Sequence, residues 1–207
     1  QVSWIETGAS STAQMVYHLL KKLEIEINKD TATCLLFGLL GDTGIFQNLN
    51  TNEQVFKVAS DLITLGGDYQ QCVLSLARSY PFKWLDSWGV MIKKAQRSDD
   101  GDFVWVAIDH KDWQQCEPSL KLQVFADLFT CRISGTKFGA VLVEKKEGQV
   151  SGSLRARLPQ VDVKQIAERI SGGGHKTAAG FRFQGTMQEA QREFLNAISL
   201  LKSQGKL

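Results

Sequence analysis

No two cysteines in this chain stand as C-x-x-C: Cys34, Cys72, Cys116 and Cys131 lie far apart. That spacing removes the zinc-ribbon and dithiol redox readings and leaves reduced thiols as the expectation. No segment approaches the roughly 20 unbroken apolar residues of a membrane helix, so a membrane partner is not expected. There is no internal repeat and no low-complexity tract. The opening residues Gln1 to Ile5 hold no initiator Met, basic start or signal-like apolar run, and truncation explains such a start better than processing. The expected location is the cytoplasm.

What is present is ordinary globular composition, 43% hydrophobic and 22% charged over 207 residues, enough for one large domain or two small ones. Net charge is +2, but it is unevenly placed. Residues 101–207 carry 15 Lys and Arg against 11 Asp and Glu, whereas residues 1–100 carry 9 against 11. A mildly basic second half agrees with an anionic ligand docking there.

Ser10-Ser11-Thr12 precedes Ala13, Val16, Tyr17, Leu20 and Leu23, the spacing of an amphipathic helix with a hydroxyl cap. Residues 30–40 are apolar nearly all round, the pattern of a buried helix or a short buried strand with the length favouring helix, and run into a tight turn at Gly41-Asp42-Thr43-Gly44. Thr51 with Gln54 reads as a capping box before a helix ending at Gly66-Gly67, and Asp68 caps a short helix beyond it. Pro81 opens a helix over about 82–96, and the polar stretch 97–102 marks a boundary. Beyond it, β-rich runs at 103–108, 138–143, 150–155 and 181–183 alternate with helical patterns over 120–129, 161–170 and 187–201. That alternation indicates a compact α/β domain.

The sharpest chemical signal is Ser171-Gly172-Gly173-Gly174-His175-Lys176-Thr177-Ala178-Ala179-Gly180. Glycines can adopt positive φ and bare their N–H groups, adjacent N–H groups form a nest for anions, and His175 adds a donor that becomes cationic near neutral pH. A glycine C-cap followed by a turn needs one glycine and gives no reason for three plus a histidine.

With Ser153-Leu154-Arg155 and Val161-Asp162-Val163 upstream in order and spacing, this stretch resembles the DHH-associated domain of DHH-family phosphoesterases. Ser171 stands where many members have a further glycine. The resemblance implies that Arg155, Gly172, Gly173, Gly174 and His175 hold the substrate phosphate or adjoining nucleotide, with Ser153, Arg157 and Lys176 as further candidates. A guanidinium suits that task because its fork donates two hydrogen bonds to phosphate oxygens.

In the first half, Gly38 to Phe46 with Asn50-Thr51 following resembles the family's fourth motif, Asp-Thr-Gly-x-Phe, and Ser10 to Ala13 matches the helix before it. In the family that Asp ligates a two-manganese centre, so the resemblance assigns Asp42 as a ligand of Mn2+ or Mg2+. Taken alone, Asp42 between glycines reads as a turn former. The family's Asp-x-Asp, its next Asp and its Asp-His-His are absent, and Asp109-His110-Lys111 reads as a surface turn rather than a substitute. Weak metal binding and no catalysis by this chain alone are therefore expected.

The fold implied is α/β, a remnant of a doubly wound parallel-sheet DHH domain followed by a small mixed-sheet DHH-associated domain. Residues 1–80 are assigned to the metal-binding domain, 81–101 to a helical linker and 102–207 to the substrate-binding domain. Missing strands would leave apolar helix faces of residues 1–80 exposed, inviting a homodimer or a covering partner. The resemblance points to the C-terminal portion of a RecJ-like enzyme, or one of the oligoribonuclease and phosphoadenosine-phosphate phosphatase branch, acting on nucleotides or short single-stranded nucleic acid. A non-catalytic nucleotide-binding module and a cyclic-dinucleotide phosphodiesterase remain alternatives.

Overall fold

A computed structural model describes residues 3–207, Phe129 by its backbone alone. Contacts divide the chain after Tyr80 into two compact units.

The first unit is helical among its described residues. Ser11 caps α1 (Thr12–Lys22) by accepting from the Gln14 N–H, and Asn28 caps α2 (Lys29–Asp42) by accepting from that of Thr31. Because α2 is apolar on nearly every side it takes the centre, burying Leu35, Leu36, Leu39 and Leu40 among α1, α3 (Glu53–Thr64) and α4 (Tyr69–Ala77). The Tyr17 hydroxyl of α1 donates to Asp61 Oδ2 of α3 at 2.5 Å. Burial, then that bond, pushes the phenol up to about 12, so it stays a donor. The cap expected at Thr51 falls one residue later: Asn52 Oδ1 accepts from the N–H groups of Gln54 and Val55, while Thr51 Oγ1 is buried without a partner. Asp68 caps α4 as expected. Val16 and Leu19 on α1, Phe37 on α2 and Phe56 on α3 remain exposed.

The second unit is built on a six-stranded sheet of order β1-β2-β3-β4-β6-β5. Its strands are β1 (Ala95–Arg97), β2 (Phe103–Ile108), β3 (Phe138–Lys146), β4 (Gln149–Ala156), β5 (Gly173–Gly174) and β6 (Ala178–Gln184). Only β2 and β3 pair in parallel; the other neighbours are antiparallel. Residues of β2 and the first seven of β3 are buried on both faces, which explains their continuous apolar run. On one face α8 (Val163–Glu168) and α9 (Met187–Ser203) pack over Phe103, Trp105, Phe138, Leu142 and Leu154. The other face carries α5 (Trp84–Lys93), α6 (His110–Trp113) and α7 (Leu122–Phe125), which continues as a π-helical turn, Ala126–Thr130.

Three expectations need correction here. Residues 81–101 are not a linker: α5 packs on β2, and 95–97, expected to end a helix, form an edge strand paired to β2. Asp109-His110-Lys111 is not a surface turn, because Asp109 Oδ1 accepts from the Asp112 N–H and starts α6. Gly173 and Gly174 belong to a strand rather than a loop, held there by β6. No helix among the described residues is long and apolar enough to cross a membrane.

The C-terminal end of α9 is tied to the β1–β2 turn by Lys202, which pairs with Asp100 and Asp102, and Asp102 also takes Lys137 at 3.0 Å. The Lys202 bond, with the Asp102 N–H and Ser98 hydroxyl, holds Asp100 well below the usual carboxylate range. Burial alone would raise Asp102, but bonds from Lys202 and Lys137 outweigh it and lower it too. Carboxylates depressed in the folded state contribute stability above their unfolded pKa, and that stability is lost as pH falls through the folded value. The melting temperature should therefore drop as pH is taken below about 4, and Lys202→Met should lessen that dependence, read by thermal melts from pH 6 to pH 2.

Candidate functional site

The glycine run is an ordered β-turn structure. After α8 the Gly172 N–H returns to Ala167 O at 2.8 Å, with Ser171 at φ +58. His175 and Ala178 exchange backbone hydrogen bonds of 2.8 and 3.2 Å, closing a tight turn. Lys176 O accepts from the Val163 N–H and Thr177 O from that of Ala156, each at 2.9 Å, pinning the turn to the start of α8 and the end of β4. The amides of Gly172 and His175 are thus spent within the fold and are not open to a ligand.

The three glycines have three different physical reasons. A Cβ on Gly172 would lie 2.3 Å from Gly180 O, so close backbone approach demands its bareness. Gly174 has φ +141, a conformation that side chains rarely adopt. Gly173 has neither constraint: nothing lies within 4 Å of where its Cβ would be. Its missing side chain serves no packing purpose and leaves the sheet surface open.

Strand register sets what shares that surface. Ser153 of β4 is opposite Gly180 of β6, and Gly180 is opposite Gly173 of β5. Arg155 is opposite Ala178, which in turn pairs with His175. Residues directly opposite in antiparallel strands share a face, so these two rows lie on the side away from Leu154 and Ala179, which enter the core. The result is a floor of Ser153, Gly180, Gly173 and Ala178 with Arg155 on it.

Arg155 is firmly held. Its Nε donates to Asp127 Oδ1 at 2.5 Å, and Nη1 donates to Leu154 O at 2.9 Å and Ser153 Oγ at 3.2 Å, with 17% of the side chain exposed. Asp127 was not among the expected site residues. Its one sequence signal is that it is the sole acid in the apolar run 120–129. Arg157, beyond the end of β4, instead clamps a loop by donating Nε to Thr136 O at 2.7 Å. His175 and Lys176 are exposed on the turn.

Asp42 ends α2, and its backbone carbonyl accepts from Asn48 Nδ2 at 3.1 Å and Asn50 Nδ2 at 3.2 Å. Asn50 also donates to Ser10 O at 2.8 Å, joining the two first-half motifs. Thr43 is fully buried, its hydroxyl donating to Leu39 O at 2.7 Å. Beyond it Gly44, Ile45 and Phe46 all have positive φ, which is costly for the β-branched Ile45. The Asp42 side chain is exposed, and no three His, Cys, Asp or Glu among the described residues stand close enough to hold a metal ion. These donors alone do not fit a two-metal centre.

The glycine geometry separates packing from surface. Gly172→Ala should cost about 1–3 kcal/mol through overpacking, whereas Gly173→Ala should stay within about 0.5 kcal/mol. Denaturant unfolding of the two variants measures the difference, and equal losses would contradict it.

Comparison with known proteins finds a domain match that spans the site. Residues 120–203 match the DHHA1 domain. The chain is 30% identical over 198 residues to the cyclic-di-AMP phosphodiesterase GdpP of Geobacillus thermodenitrificans, covering 94% of this chain and 29% of that protein. It is 29% identical over 195 residues to the bifunctional oligoribonuclease and PAP phosphatase NrnA of Thermus thermophilus, covering 94% and 58%. The chain thus spans between about a third and three-fifths of these curated relatives. Among solved structures, an exopolyphosphatase-related protein from Bacteroides fragilis superposes with a TM-score of 0.88 at 23% identity, over 98% of this chain and 60% of that one. The second unit of the chain thus contains a DHHA1 domain, and nearly the whole chain is similar to parts of these phosphodiesterase and oligoribonuclease relatives.

Proposed function

We propose that the second unit holds the phosphate of a nucleotide or short oligonucleotide for a phosphoesterase, with Arg155 as the main anion contact. The observation that carries this is the register: it sets a restrained guanidinium on a floor of Ser153, Gly180 and Gly173, one of whose glycines has no packing reason to be bare. A flat floor lets a phosphate and its sugar approach the Arg155 guanidinium with no side chain in the way. His175 and Lys176, exposed on the adjoining turn, add positive charge at the rim. The relatives support the substrate class, since one is named an oligoribonuclease and PAP phosphatase and another a cyclic-di-AMP phosphodiesterase. A cytoplasmic setting belongs to the same proposal.

On this reading Asp42 supplies one carboxylate toward a Mn2+ or Mg2+ centre, whose chemistry when the metal is bound is to activate water against phosphorus. The described residues add no donor cluster to it. That same observation favours a second reading, in which this chain binds nucleotide without cutting it.

Titration calorimetry with a 5′-phosphorylated diadenylate should show weak binding that Arg155→Ala together with His175→Ala abolishes. Unchanged binding in the double variant would sink the assignment. With Mn2+ present, this chain should release no adenylate; turnover that disappears in Asp42→Ala would overturn the non-catalytic expectation.

A further inference from the structure

Asp127 meets Arg155 because three features of the second unit converge. The helix that carries it widens into a π turn over Ala126–Thr130, where the Cys131 N–H reaches back to Ala126 O at 3.2 Å and the Thr130 hydroxyl donates to the same oxygen at 2.9 Å. Such turns recur at functional sites because they re-aim one side chain without breaking the helix. The turn is pressed onto β3 at Gly139, where a Cβ would lie 2.4 Å from the Thr130 backbone. Gly139 is also the register partner of Arg155 on β4. Asp127 therefore reaches the guanidinium across the one point of β3 low enough for the turn to rest on.

The bonds formed there engage two of the three nitrogens of the guanidinium. A guanidinium has five N–H donors; Nε goes to Asp127, and Nη1 to Leu154 O and Ser153 Oγ. The plane is fixed, and the two N–H groups of Nη2 have no hydrogen-bond partner among the described residues. By charge alone, a half-exposed carboxylate at this place opposes an anionic ligand. Its benefit is orientation, since a fork held in place before binding loses less freedom when it grips a phosphate.

We propose that Asp127 is a positioning residue for Arg155: its carboxylate oxygen sets the guanidinium plane so that Nη2 meets a phosphate oxygen over the Ser153–Gly180–Gly173 floor. The inference rests on the reading of Arg155 as the anion contact. Orientation and charge predict opposite responses in two variants. Asp127→Ala removes both acceptor and charge, whereas Asp127→Asn keeps an acceptor oxygen for Nε and removes only the charge.

The test is calorimetric titration of the chain and its variants with the 5′-phosphorylated diadenylate, alongside thermal melts. Asp127→Ala should weaken binding about tenfold, the scale of one hydrogen bond to a charged group. Asp127→Asn should bind as tightly as the unaltered chain or more tightly. If Asp127→Ala proves unstable, Asp127→Ser, polar but too short to reach Nε, takes its place with the same expectation. Equal weakening in both variants, equal tightening, or no change in Asp127→Ala each overturns the positioning role alone, provided that Arg155→Ala abolishes binding. Binding that survives Arg155→Ala overturns the reading of the site, and no binding by the unaltered chain overturns both.

Discussion

The pairing of β4 with β6 is the constraint on which the second unit's surface depends. With Leu154 opposite Ala179 and Arg155 opposite Ala178, alternate residues go to core and surface along both strands. A slip of one residue would turn Arg155 into the layer that now holds Leu154, Ile166 and Phe194. Burying a guanidinium there without a partner would cost several kcal/mol, so the core itself enforces the register. The core also fixes where β5 lies, since β5 pairs only with β6. Hydrophobic packing on one face thereby sets the polar geometry on the other.

How much of this was legible in the sequence depended on how local the cause is. Ser11 and Asp68 cap their helices as expected because a cap needs only the residue and the amides two or three positions on. The strands β2, β3, β4 and β6 were legible from their β-rich runs. Ala95–Arg97 and Gly173–Gly174 were not, because three exposed residues and two glycines carry no strand pattern and become strands only by pairing with a neighbour. At Thr51 the capping-box pattern misled by one position, since Asn52, in extended conformation, offers its oxygen to both Gln54 and Val55.

The candidate site divides along the same line. Ser153, Arg155 and the glycine run were found through motifs, and the sheet then brought them into adjacent rows. Asp127 could not be found that way. Its placement comes from the π turn that contains it and from the depth of β3 at Gly139, 12 residues further along the chain and joined to Arg155 through strand register. The first unit shows the converse. Its motif around Asp42 is well held, with Asn50 binding both Ser10 O and Asp42 O, yet the carboxylate it presents is exposed and lacks a donor cluster among the described residues. A motif can thus be structurally complete while its chemistry is not.

The glycine run shows how much of a motif's length belongs to the fold. Gly172 is bare so that its strand can approach Gly180, Gly174 so that the chain can adopt a positive φ, and the amides of Gly172 and His175 are already bonded within the fold. An anion nest built from all three glycines would have to break bonds that hold the turn against α8 and β4. Only Gly173 is bare without such a reason, and it stands in the row with Gly180 and Ser153. The surface proposed for a ligand is therefore narrower than the motif suggests: one unobstructed glycine, the sheet floor beside it and a guanidinium already locked in place. On the proposed reading, selectivity on such a surface would come from its flatness and from a guanidinium held in place by Asp127 rather than from a ring of free amides.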